Sequence, residues 1–250
     1  MSTFSFHWWR TVLFLIPTIA LYTIGMGTLA VGSGLLGGRG TFAHTCGRVW
    51  SWLILATTGV NVARRGLDRV ERGRPYVFVA NHQSMYDIPV LFWALPFDLR
   101  IIAKEELGRV PFIGWHLARN GHVLVRRDRP GGAVFQQVSA MMKARSSLIV
   151  FPEGTRSLDG RVARFRSGVF RLAIETGLDV VPVAVRGTHA VMRKKHLTTR
   201  PGETSVEIFA PISVAGMVVD DARALAERVE KIVTDGVGDN RAFAPGPDAR

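Results

Sequence analysis

An α/β fold follows from three features of the 250-residue sequence: a mixed, largely parallel sheet flanked by helices and preceded by an apolar helical hairpin. Charge is partitioned, because residues 1–62 hold only Arg10, Arg39 and Arg48 and no acid, whereas the remainder is rich in both signs. Short, near-continuous apolar runs recur after residue 64, as in strands covered on both faces. Between them lie segments with a helical apolar stripe, and strands alternating with helices argue for one layered α/β sheet.

The elements can be justified in chain order. Residues 11–38 carry no charge; a helix of about 26 residues there would rise about 39 Å, more than the roughly 30 Å hydrocarbon core of a bilayer. A second apolar stretch, residues 49–63, would rise about 22 Å if helical and suits a shallow or re-entrant element. Trp8, Trp9, Trp50 and Trp52 flank these stretches, where indoles favour a membrane interface, and Arg10, Arg39, Arg48, Arg64 and Arg65 can reach anionic head groups. Two other readings compete with a membrane hairpin. A cleaved signal could end near Ala30-Val31-Gly32, although the apolar run continues past it. A pair of buried core helices is the other, weakened as helices by Gly25, Gly27, Gly32, Gly34, Gly37 and Gly38.

Strands are expected at residues 76–80 (YVFVA), 99–103 (LRIIA), 122–125 (HVLV), 147–151 (SLIVF), 180–185 (VVPVAV) and 206–209 (VEIF). Helices are expected at 133–145, with Val134, Val138, Met141 and Met142 on one stripe, and at 169–176. A last helix starts near Asp220 or Asp221, whose carboxylates suit an N-terminus, and turns Leu225, Val229, Ile232 and Val233 inward. Residues 236–250 read as a flexible tail. The organisation is therefore residues 1–62 as a membrane-associating pair, 63–235 as a catalytic domain and 236–250 as tail.

Composition limits the function classes. The single cysteine, Cys46, excludes an internal disulfide and any zinc site needing two thiolates from one chain. The formal net charge is +12 and 27 of the 32 basic residues are Arg, which favours a partner carrying phosphate. The basic groups 126–129 and Arg164 with Arg166 suit an anionic membrane face or simply a solvated surface. No phosphate-binding G-x-x-x-x-G-K-S/T loop, dinucleotide fingerprint or H-E-x-x-H is present.

Chemistry is expected where strands end. The run YVFVA leads into Asn81-His82-Gln83-Ser84-Met85-Tyr86-Asp87. A histidine there suits a general base, and a nearby carboxylate would fix its tautomer and stabilise the imidazolium. Residues five apart diverge by about 140° on one helix, so His82 and Asp87 converge only if His82 precedes the helix and Asp87 sits in its first turn. Ser84 and Asp87 match the S/T-x-x-D/E signal of a helix start. The same signal allows a plainer reading, in which Asp87 caps the helix and His82 is a packed core residue. The run SLIVF ends in Pro152-Glu153-Gly154-Thr155-Arg156-Ser157, either a cradle for a phosphate monoester or a tight turn with a solvated arginine. Lys104, after LRIIA, opens a third patch, residues 104–114, and could equally be a surface charge.

In order and spacing these segments resemble the glycerolipid acyltransferase family. Asn81-His82, four residues and Asp87 match its N-H-x-x-x-x-D motif; residues 104–114 resemble its second block, FPEGTRS (151–157) its third and Val181-Pro182-Val183 its fourth. The resemblance covers roughly residues 60–215, and the short length with two apolar N-terminal segments is most similar to the branch that acylates lysophosphatidate. It implies an enzyme moving an acyl group from acyl-CoA or acyl-acyl carrier protein to the sn-2 hydroxyl of 1-acyl-sn-glycerol 3-phosphate, giving phosphatidic acid. His82 would be the base and Asp87 its orienter. Lys104 and Arg156 would contact phosphate, with Glu153, Gly154 and Thr155 shaping the acceptor site. Oxyanion donors are expected among backbone N–H groups at the start of the helix after His82. No metal, resident cofactor or nucleic acid is expected, and the catalytic domain is placed on the cytoplasmic face of a membrane because thioester donors are cytosolic. Rival readings are another hydroxylated acceptor, a metal-dependent phosphohydrolase, a basic nucleic-acid-binding protein and a catalytically silent protein on the same scaffold.

Overall fold

The computed structural model describes residues 5–35, 40–110, 114, 115, 117, 122–125, 136–138, 140 and 146–238. The N-terminal segment is a short helix α1 (Phe6–Trp9), a π-helical stretch Arg10–Leu15 and a long helix α2 (Ile16–Leu35). Together they form one helix long and apolar enough to cross a membrane, Phe6–Ser33, almost none of it buried by the rest of the protein. The widened turns precede Pro17, whose ring lacks an N–H and crowds the preceding turn. Helix α3 (Gly40–Thr58) packs against α2, with Trp50 Nε1 donating to Thr23 Oγ1 at 3.0 Å and Tyr22 Oη 3.0 Å from Thr57 Oγ1. At the hairpin's base the Arg10 guanidinium donates to the carbonyls of Thr57 and Thr58, at 3.2 and 2.9 Å, satisfying orphan groups at the end of α3. Thr11 Oγ1 accepts the Thr199 N–H at 2.9 Å and so ties the same end to the sheet domain.

Gly59, in the left-handed region at φ 76°, stops α3, and β-branched Val60 and Val62 open strand β1 (Val60–Arg65). The second apolar stretch is thus a helix followed by a strand, where one helical segment was expected over 49–63. The sheet begins at Val60. Strands β2 (Val77–Ala80), β3 (Leu99–Lys104), β4 (Val123–Val125), β5 (Ser147–Val150), β6 (Val180–Arg186) and β7 (Gly202–Ile208) complete it, in the order β1-β7-β6-β2-β5-β3-β4. Strands β6, β2, β5, β3 and β4 run parallel; β7 is antiparallel to β6 and parallel to β1. The C-terminal ends of β6, β2, β5 and β3 therefore share one edge, with β2 and β5 in the middle.

Both faces of the sheet are covered, which explains the near-continuous apolar runs. Phe78 and Ala80 of β2 face a core shared with α3 and helix α4 (Asp87–Ala94), including Ile54, Leu91 and Phe97. Val77 and Val79 face the opposite core, with helix α5 (Gly168–Thr176) and, beyond a short helix α6 (Thr188–Val191), helix α7 (Ala222–Gly238), through Phe170, Leu225, Val229 and Val233. Asp221 accepts the Val218 N–H at 2.8 Å in the 3₁₀ turn Val219–Asp221 that leads into α7, at the place its sequence suggests. That helix reaches Gly238, two residues past the expected start of the tail, and 239–250 lie outside the described residues. Of the expected helix 133–145, residues 136–138 are helical and Val138 is buried, while Val134, Met141 and Met142 lie outside the described residues, as do 126–129.

Candidate active site

His82 stands two residues beyond the end of β2, and the chain turns at once so that Asp87 opens α4. Asn81 makes that turn possible. Its side chain donates to the Val185 carbonyl and accepts the Val185 N–H, both at 2.8 Å, so an amide side chain continues the pairing with β6 while the backbone leaves the sheet. His82 Nδ1 is 2.8 Å from Asp87 Oδ2. The Asp87 side chain is fully buried; it also accepts the N–H groups of Gln83 and Ser84 at 2.7 and 2.8 Å on Oδ2 and the Thr188 hydroxyl at 2.5 Å on Oδ1. With Asp87 Oδ2 as acceptor, the His82 tautomer held in place is the one with its proton on Nδ1. That leaves Nε2 as the basic nitrogen, and it makes no hydrogen bond among the described residues. The ring stacks on Phe151, with centroids 4.1 Å apart and planes 18° from parallel.

The expected helix-start signal is realised in half. Asp87 reaches back to the Ser84 N–H, but the Ser84 hydroxyl donates to the Met192 carbonyl at 2.8 Å and accepts the Tyr86 N–H. Of the backbone N–H groups near the helix start, those of Gln83, Ser84 and Tyr86 are engaged within this turn.

The loop after β5 is joined to His82 through both of that residue's backbone groups. His82 N–H donates to Glu153 Oε1 and its carbonyl accepts from Ser157 N–H, each at 2.7 Å. Glu153 is buried and accepts the Ala163 N–H at 3.1 Å as well; burial pushes its carboxyl upward, against the lowering pull of these two donors. Its carboxylate thus holds the His82 backbone in place. Gly154 has φ 74°, the left-handed region that favours glycine, and a Cβ there would lie 3.1 Å from the Arg166 guanidinium carbon. Thr155 is exposed and Arg156 half-buried. Lys194 donates to Thr155 Oγ1 at 2.9 Å and to the Arg156 carbonyl at 2.6 Å. Arg156, Arg166 and Lys194 make no ion pair among the described residues. Asp159, just beyond this loop, instead accepts from Arg161 N–H and Ser157 Oγ, which lower its pKa.

The structure thus brings His82, Asp87, Glu153, Gly154, Thr155 and Arg156 to one edge. Lys104 closes β3, the neighbour of β5, at the same edge, and its side chain lies outside what is described. Thr188, Lys194 and the clamp made by Asn81 were missed by sequence reasoning. Their partners lie 101, 39 and 104 residues away, and no local pattern marks them. Phe151 was within reach, as the first residue of the FPEGTRS run. Among the described residues no group of three or more His, Cys, Asp or Glu could hold a metal.

Fold and site define an α/β protein that sets a histidine–aspartate pair at the carboxyl ends of parallel strands, beside a cationic loop. The family model named Acyltransferase matches residues 61–186, and the chain belongs to the acyltransferase family. It is 32% identical over 196 residues to a mouse protein named 1-acyl-sn-glycerol-3-phosphate acyltransferase alpha, covering 72% of this chain and 67% of that one. A coconut protein named 1-acyl-sn-glycerol-3-phosphate acyltransferase is 29% identical over 197 residues, covering 78% of this chain; the match spans 62% of the coconut protein's length. The crystal structure of the 1-acyl-sn-glycerophosphate (LPA) acyltransferase PlsC from Thermotoga maritima superposes with a TM-score of 0.77 at 26% identity, covering 96% of this chain and 100% of that one.

Proposed function

We propose that this chain transfers a fatty acyl group from a thioester, acyl-CoA or acyl-acyl carrier protein, to the sn-2 hydroxyl of 1-acyl-sn-glycerol 3-phosphate, forming phosphatidic acid. The observation that carries the reading is the 2.8 Å contact between His82 Nδ1 and Asp87, set beside a cationic loop hydrogen-bonded to the His82 backbone. The names of the relatives supply the substrate class.

In this mechanism His82 Nε2 takes the hydroxyl proton as the oxygen attacks the thioester carbonyl, and Asp87 stabilises the imidazolium that forms. The tetrahedral adduct collapses with cleavage of the carbon–sulfur bond, and the imidazolium returns the proton to the departing thiolate. The products are ester and free thiol, with no acyl-enzyme. A positioned base contributes roughly 10² to 10⁴-fold, and holding hydroxyl and thioester in contact supplies a further proximity term. Arg156, with Lys104, meets the acceptor phosphate through charge-assisted hydrogen bonds. The apolar helix pair rests in the membrane that carries both acceptor and product, with the catalytic domain on the cytoplasmic face where thioesters are supplied.

The test is thiol release by the full chain in detergent or lipid vesicles with acyl-CoA, comparing lysophosphatidate, glycerol 3-phosphate and a lysophosphatidylcholine as acceptors. Release confined to lysophosphatidate, and lowered roughly 10² to 10⁴-fold in His82→Ala with an unchanged circular dichroism spectrum, is the expected result. Full activity in His82→Ala would remove His82 as the base. No release with either CoA or carrier-protein thioesters would remove the acyltransferase reading.

A further inference from the structure

A cavity of about 460 Å³ lies where the start of the N-terminal helix meets the segment that follows α6, and Ser5, Arg193, His196, Thr198 and Arg200 are among the residues lining it. Three of these are basic, and no carboxylate among the described residues lines the space. Arg193, His196 and Arg200 are exposed and make no ion pair among the described residues, so the two guanidinium groups are open to an anion that enters the space. The planar guanidinium fork matches the geometry of phosphate oxygens. The volume falls within the range of small-ligand sites, well above what a single water needs.

The segment is built to hold that arrangement. Arg200 N–H donates to the Val191 carbonyl at 2.9 Å and closes residues 191–200 into a loop, within which His196 N–H donates to Arg193 O at 3.2 Å. Lys195 in that turn has φ 68°, the one non-glycine residue in the left-handed region among the described residues. The sharp turn separates neighbouring side chains: Arg193 lines the cavity while Lys194 reaches back to Thr155 and the Arg156 carbonyl.

Location narrows the class of anion. Ser5 immediately precedes the apolar helix, Trp8 and Trp9 follow within one turn, and Thr199 is bonded to Thr11 at the same level. Arg10 and the end of α3 mark this as the base of the hairpin, where apolar surface gives way to the sheet domain. With the hairpin in a leaflet, that level is the head-group layer. We propose that this cavity is a second phosphate site, separate from the loop at Arg156, that takes the phosphate of an anionic phospholipid head group and fixes the depth of the catalytic domain on the membrane. The proposal rests on the membrane-embedded reading of the hairpin.

The test uses the full chain in a neutral detergent, with melting temperature followed against a soluble short-chain phosphatidylglycerol, coenzyme A and inorganic phosphate in separate titrations. The variants are Arg193→Gln/Arg200→Gln, and Arg193→Lys/Arg200→Lys as the form that keeps the charge. Saturable stabilisation by phosphatidylglycerol is expected in the wild type, as for any ligand that binds only the folded state. Its midpoint should weaken at least about tenfold in the Gln/Gln variant, the scale of a lost charge-assisted bond, and be largely kept in Lys/Lys. Equal midpoints in wild type and Gln/Gln would overturn the site. Stabilisation by coenzyme A or inorganic phosphate without any response to the lipid would overturn the lipid as its occupant. Flotation of the wild type with pure phosphatidylcholine vesicles checks the hairpin reading separately, and its failure there would overturn the membrane placement whatever the titration shows.

Discussion

The two loops that meet at the carboxyl edge of the sheet, 81–87 after β2 and 151–157 after β5, solve opposite problems. In the first, polar groups are matched from within: Asn81 is paired to Val185, and Asp87 has four donors and is fully buried. In the second, Arg156 and its neighbours Arg166 and Lys194 have no acidic partner among the described residues, and Thr155 faces solvent. A base must be held in one orientation and one tautomer, so its surroundings are saturated. A surface that receives a charged substrate must leave its charge unspent. Glu153 belongs by sequence to the open loop and by contacts to the closed one, and it is the joint between them.

Breaking the closed loop should have the largest effect. Asp87→Ala removes the acceptor of two backbone N–H groups, a threonine hydroxyl and the histidine; activity should fall roughly 10² to 10⁴-fold, and stability by about 3–5 kcal/mol as buried donors lose their partner. Steady-state rates with chemical denaturation curves check both. Breaking the open loop should act on binding instead. Arg156→Gln should raise KM for lysophosphatidate by about 10- to 100-fold, the scale of a charge-assisted hydrogen bond, with kcat and the melting temperature little changed. An Arg156→Gln variant that loses kcat at constant KM would contradict the division of labour between the loops.

Finer substitutions sharpen the contrast. Thr188→Val deletes the 2.5 Å bond to Asp87 and should lower kcat about tenfold while leaving KM in place, given about 1–1.5 kcal/mol for a net hydrogen bond; Thr188→Ser should restore it. The smallest effect concerns Glu153. Because burial raises its carboxyl above the ordinary 4.5, the folded state binds its proton more tightly than the unfolded chain does. Its contribution to stability is therefore greatest below that ordinary value and declines as pH rises through the raised one. Glu153→Gln removes this dependence, so the melting temperature of the variant should gain on that of the wild type as pH rises from 4.5 toward neutrality. A constant difference across the range would show that Glu153 titrates alike in both states.

Much of this was legible in the sequence, and the reason is locality. Strands covered on both faces announce themselves as apolar runs, and His82 and Asp87 lie within one turn of chain. β1 was hidden because VNVARR continues an apolar stretch, and only the left-handed Gly59 separates it from α3. Thr188 and the Asn81–Val185 clamp depend on β6 lying beside β2, a matter of strand order that no window of sequence contains. The engagement of the Gln83 and Ser84 N–H groups was hidden for a related reason: groups that look available ahead of a helix are already bonded once Asp87 folds back over them.

The strand order also dictates a schedule of synthesis. β2 emerges early, yet both of its neighbours, β5 and β6, are made later, and Thr188 follows the end of α3 by some 130 residues. At about 5–20 residues per second of translation, the apolar hairpin leaves the ribosome roughly 6–26 s before the base can be assembled. For that interval the histidine stands without the strand and the threonine that complete its setting.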